Sequence, residues 1–73
     1  MIVVRFEDDV YRVYNENIFT GRRVILYENS DVVKVAQYIV DLLNSSERVF
    51  IEVSGVFPVG KVFIADLISR LRE

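Results

Sequence analysis

Apolar and polar positions alternate with a period of two at the start of this chain and recur at helical spacing in two later segments. Residues 1–6 predict a strand, with Ile2, Val4 and Phe6 on one face and Val3 and Arg5 on the other. The acidic run Glu7-Asp8-Asp9 predicts a turn, and Val10-Tyr11-Arg12-Val13-Tyr14 a second strand, so the two make a hairpin. Asn15-Glu16-Asn17 and Thr20-Gly21 carry turn residues on either side of Ile18-Phe19, a pair that fits no single element. Residues 23–27 predict a third strand.

Asn29-Ser30-Asp31 offers polar caps for a helix, with Asp31 placed to meet the positive end of its dipole. At 100° per residue, Val32, Val33, Val35, Ala36, Ile39, Val40, Leu42 and Leu43 fill one half of a helix ending near Asn44, and Lys34, Gln37, Tyr38, Asp41 and Asn44 fill the other. That apolar arc is wider than one sheet contact requires, which leaves part of it for a partner. After a short loop, residues 48–53 predict a fourth strand, apolar on both faces except at Glu52, which points to a central position. Glu52 then either needs a partner such as Lys61 or an Arg, or lies at an exposed end. A second helix opens at Val59 or Gly60, with Phe63, Ile64, Leu67, Ile68 and Leu71 as its core stripe and Lys61, Asp66, Ser69, Arg70 and Arg72 facing water.

The predicted order is β-β-β-α-β-α, an α/β chain of the two-layer α+β kind. It forms a mixed four-stranded sheet with two helices on one face. The third strand, first helix and fourth strand read as a βαβ unit. Polar side chains or dimerisation are the two ways to cover the sheet's other face.

Length sets the scale: 73 residues make one domain, residues 1–73, and a core this small must be rich to be stable. With 52% of residues hydrophobic and 27% charged, a folded chain without staples is expected. The absence of Cys and His excludes disulfides, thiolate chemistry, most zinc sites and every Ser-His-Asp or Cys-His arrangement. No metal or cofactor is expected. There is no membrane-length apolar run and no signal peptide, so a cytoplasmic protein is expected. A net charge of −2 argues against a general nucleic-acid coat, though not against a local basic patch.

The stretch Gly55-Val56-Phe57-Pro58-Val59-Gly60-Lys61-Val62 has the G-x-x-x-x-G-K spacing of a phosphate-binding loop, after a strand and opening a helix. Val62 lacks the hydroxyl that would hold Mg²⁺, and Phe57 and Pro58 stand where a phosphate nest needs bare amides. A tight strand-to-helix turn with two glycines explains the spacing better. Ser54, Lys61 and Asp66 lie near one another in sequence, but nothing marks a buried lysine of lowered pKa, so the chain reads as non-enzymatic. Arg5, Arg12, Arg22 and Arg23 lie with Tyr11 and Tyr14 in the N-terminal strands, where aromatic and basic side chains could stack and pair with nucleic acid.

Residues 49–71 resemble the core of STAS domains, the fold of bacterial anti-sigma-factor antagonists and of the cytoplasmic parts of sulfate transporters. Glu52-Val53-Ser54-Gly55-Val56 and Val59 match that family's strand end and corner without a gap. Gly55-Val56, Val59-Gly60, Phe63 and Asp66-Leu67 match more closely still the STAS-like domains of unknown function found beside ATPase and helix-turn-helix modules. The family's D-S-S is Gly60-Lys61-Val62 here, so the resemblance comes without the phosphorylatable serine, and the chain is short for the family. It implies a regulatory module that binds a protein partner or itself through Val56, Phe57, Pro58, Lys61 and Asp66; small size and the wide apolar arc favour a homodimer. Residues 31–55 are also similar to the helix and strand of Alba-like chromatin proteins, with a one-residue gap at the corner. That family's hairpin lies at the C-terminus and its corner is more basic. The second resemblance implies nucleic-acid binding, for which Arg5, Arg12, Arg22 and Arg23 are the candidates.

Overall fold

A computed structural model describes residues 1–45, 48–52 and 61–72, with Lys61 and Val62 described in backbone alone. The elements are β1 (Ile2–Glu7), β2 (Val10–Glu16), β3 (Arg23–Asn29), α1 (Val32–Asn44), β4 (Val49–Ile51) and α2 (Lys61–Leu71). They make the expected α+β chain with a mixed four-stranded sheet in the order β3-β2-β1-β4. β1 runs antiparallel to β2 and parallel to β4, and β2 antiparallel to β3.

The first turn is the two-residue corner Asp8-Asp9, both at positive φ (54° and 62°), the geometry whose twist matches that of its flanking strands. It sets the register Glu7↔Val10, Phe6↔Tyr11 and Val4↔Val13. Ile2, Val4, Tyr11 and Val13 therefore share one face and are buried. Both helices pack on that face: Val35, Ala36, Ile39 and Val40 from α1 and Ile64 and Ile68 from α2 join the same four sheet residues in one core. Asp31 caps α1, its Oδ1 accepting from the Val33 N–H at 2.9 Å, and Asn29 Oδ1 in turn accepts from the Asp31 N–H. The stacked rings of Tyr27 and Tyr38, 4.6 Å apart, tie β3 to α1.

Several expectations need correction. β4 lies at a sheet edge, not in the centre. Its apolar character on both faces arises because Val49 and Ile51 pack against the core while Phe50 faces the open side, 52% exposed. β3 and β4 do point the same way, but they occupy opposite edges, so the chain through α1 crosses the whole sheet and β4 pairs with β1. β2 and β3 extend beyond the predicted ends, through Asn15 and Glu16 and through Glu28 and Asn29. In α2, Ile64 and Ile68 are buried, whereas Phe63 and Leu71 are 49% and 37% exposed, so the core stripe is narrower than its spacing suggests. The wide arc of α1 packs against both the sheet and α2, and leaves Val33 47% exposed.

Candidate interaction surface

The face of the sheet away from the helices carries Val3, Arg5, Arg12, Tyr14, Glu16, Arg23, Ile25, Glu28 and Phe50, as the register dictates. Ion pairs span it. Arg12 Nε meets Glu28 Oε2 at 2.9 Å, and its Nη1 meets Asp8 Oδ2 at 2.8 Å and Glu7 Oε1 at 3.7 Å. Arg23 Nε meets Glu16 Oε1 at 2.7 Å, and its Nη2 reaches Glu52 at 3.9 Å. The Arg23 guanidinium also lies 5.9 Å from the centre of the Tyr14 ring, within cation–π range. The Tyr14 hydroxyl donates to the Glu7 carboxylate. Glu28 first, then Asp8, hold the Arg12 guanidinium well above the ordinary arginine range. Burial first, and then the Glu7 carboxylate, raise the Tyr14 pKa; burial alone raises that of Tyr11 on the other face. Polar side chains thus dress the open face, one of the two alternatives left by the sequence. Val3, in the middle of it, is only 1% exposed.

At one end of the sheet the surface changes character. The β2–β3 loop is closed by hydrogen bonds from the Asn17 N–H to Arg22 O and from the Gly21 N–H to Asn17 O, both 2.8 Å. Asn17 Oδ1 accepts from the N–H groups of Phe19 and Thr20, and Gly21 supplies the positive φ of 75° that brings the chain back. This ordered loop holds Ile18 and Phe19 outward, Phe19 at 92% exposure. Together with Met1, Val24 and Phe50 they line an open concavity of about 860 Å³, whose polar lining includes Asn15, Glu16, Arg22 and Arg48. Along the outer strand, Val24, Ile25 and Leu26 are all exposed in succession.

The residues expected at a partner site are only partly in view. Val56, Phe57 and Pro58 lie outside the described residues, as does Ser54, and Lys61 opens α2 with its side chain undescribed. Asp66 is exposed and pairs with Arg70 one turn on, at 3.0 Å, an arrangement of ordinary helix surface. The four arginines do not form one patch of unpaired charge, since Arg12 and Arg23 are each held by carboxylates. Sequence reading left Ile18-Phe19 unassigned; the signal was there in two large apolar residues between turn formers, where solvation favours polar side chains.

Among the described residues, no group of His, Cys, Asp and Glu could hold a metal ion, and no helix is long and apolar enough to cross a membrane. Comparison with known proteins found no match to a family model, a curated protein or a solved structure.

Proposed function

We propose that this chain is a small, non-enzymatic protein-interaction module, STAS-like and working in the cytoplasm without a cofactor. The observation that carries the reading is the apolar set Met1, Ile18, Phe19, Val24 and Phe50, gathered around one open concavity. Exposed apolar surface collected in one place and rimmed by polar groups is what a protein partner covers. The loop bonds around Asn17 keep the Phe19 backbone in place before any partner arrives, which lowers the entropic cost of binding. The occupant is a partner protein that offers an aliphatic or aromatic side chain to the concavity. The STAS-like part of the reading rests on residues 49–71 alone. It adds the corner Val56, Phe57, Pro58 and Lys61, with Asp66, as a second contact site. With Val62 at the family's serine position, regulation would come from partner occupancy rather than from phosphorylation there.

The test is capture of the stoichiometric partner from the protein's own cells, then titration of the purified pair. Phe19→Ser and Phe50→Ser should each weaken the complex by about tenfold or more, with unchanged circular dichroism, because both side chains are exposed at a contact centre. Loss of affinity only in Phe57→Ala and Lys61→Ala would move the contact to the corner. Unchanged affinity in all four variants would reject the module as read. Nucleic-acid binding through Arg5, Arg12, Arg22 and Arg23 is the weaker reading, because the carboxylates on Arg12 and Arg23 would have to be displaced by phosphate.

A further inference from the structure

We infer that β3 is a self-pairing edge, and that two copies of this chain join antiparallel along it into one continuous sheet about a two-fold axis at Ile25. Among the described residues, β3 is an outer strand whose only sheet neighbour is β2. Val24, Ile25 and Leu26 are exposed by 63%, 51% and 38%. In a strand solvated on one side, apolar exposure should alternate. Three consecutive exposed apolar residues are instead what an edge presents when both faces and the outer backbone groups are to be covered. The strand carries no Pro or Lys, two of the usual means of blunting an edge.

The occupant is argued from the register. Pairing with β2 shifts between Val13 and Tyr14, where Val13 faces Tyr27 and Tyr14 faces Ile25, leaving Leu26 as the extra residue of a bulge. The shift changes the parity of the strand. Arg23 and Glu28, which an unbroken strand would put on opposite faces, both lie on the open face, opposite Glu16 and Arg12. Val24 and Tyr27 both lie on the helix-bearing face, opposite Asn15 and Val13. A two-fold axis at Ile25 then matches every flanking pair by face: Ile25 with Ile25 of the second copy, Val24 with Tyr27, and Arg23 with Glu28 on both sides of the axis. Opposite charges meet twice and apolar groups meet at the centre, as cross-strand pairing favours. The apolar row Phe50–Val3–Tyr14–Ile25 continues into its own image. A bulge can also blunt an edge, but this one brings the charges into register with themselves, which a purely protective distortion has no reason to do.

The inference rests on the reading of the chain as an interaction module, and it is tested apart from it. Light scattering over a concentration series should give twice the 8.5 kDa chain mass. Arg23→Glu and Glu28→Arg should each lower the dimer association constant by about tenfold or more, because each sets like charges opposite one another in the homodimer. An equal mixture of the two variants should restore a dimer, because every cross-copy pair is then opposite in charge while each chain keeps its own altered internal pairs. The natural chain has no Cys, so Ile25→Cys alone reports the axis. Directly opposed Cβ atoms lie about 4.5–5.5 Å apart, close enough for mild oxidation to link them, whereas Phe63→Cys on α2 should stay unlinked. A natural chain that is monomeric up to millimolar concentration overturns the inference and leaves partner binding at the concavity untouched. A dimer that Ile25→Cys does not link, and that mixing does not restore, overturns the β3 assignment while self-association stands.

Discussion

Tyr14 concentrates much of the chemistry of the open sheet face. Its ring lies under Arg23 and its hydroxyl donates to Glu7. The hydrogen bond needs the proton, and burial disfavours the phenolate, so the folded chain holds that proton more tightly than the unfolded chain does. Tyr11, desolvated in the core, behaves in the same sense. A folded pKa raised above the ordinary 10.0 contributes stability that is fully present below pH 10 and is lost as pH rises through the folded value. The thermal midpoint should therefore fall above pH 10, with phenolate absorbance appearing late. Tyr14→Phe should flatten that fall, and an unchanged slope would remove Tyr14 from the account. None of this is legible locally: Tyr14 in a strand is unremarkable until the register puts Glu7 and Arg23 beside it.

Among elements, α2 joins the core through few side chains. Of its described side chains only Ile64 and Ile68 are buried, with Leu67 partly so. Ile64→Ala removes a fully buried side chain and should cost about 2–5 kcal/mol. A domain of this size has only about 4–11 kcal/mol in all, so the loss should release α2 first. Urea unfolding should show the fall in midpoint, and amide exchange should rise in α2 before β1 and β2. Uniform acceleration across all elements would mean instead that α2 unfolds with the rest of the domain. The helical spacing in the sequence identified Ile64 and Ile68 correctly. It also put Phe63 and Leu71 in the stripe, because periodicity reports a face and not how far the neighbouring layer extends over it.

At the scale of the whole molecule, basic and acidic groups are interleaved rather than separated. The open face mixes Arg12 and Arg23 with Glu7, Asp8, Glu16, Glu28 and Glu52, and the net charge is −2. Titration against DNA and RNA at low salt should therefore give no binding with a steep salt slope. Strong, salt-sensitive binding lost in Arg12→Ala and Arg23→Ala would reverse the order of the two functional readings. Among the described residues, much of the exposed apolar surface follows the opposite rule: apart from Val33, Phe63 and Leu71 on the helices, it is gathered at the β2–β3 loop with Met1 and Phe50 and along β3, adjoining at Val24.

The amino-acid sequence by itself determined the element order, the α+β class and the core positions Ile2, Val4, Ile39 and Ile64. Those follow from periodicity and turn chemistry, which act over a few residues. It also excluded thiol and imidazole chemistry by composition. Only the tertiary structure decided that β4 is an edge strand, that the bulge at Leu26 turns Arg23 and Glu28 to one face, and that Phe19 lines one concavity with Met1 and Phe50. Each of these depends on which strands become neighbours and in what register. That pairing is settled by contacts between residues far apart in the chain, which no local pattern encodes.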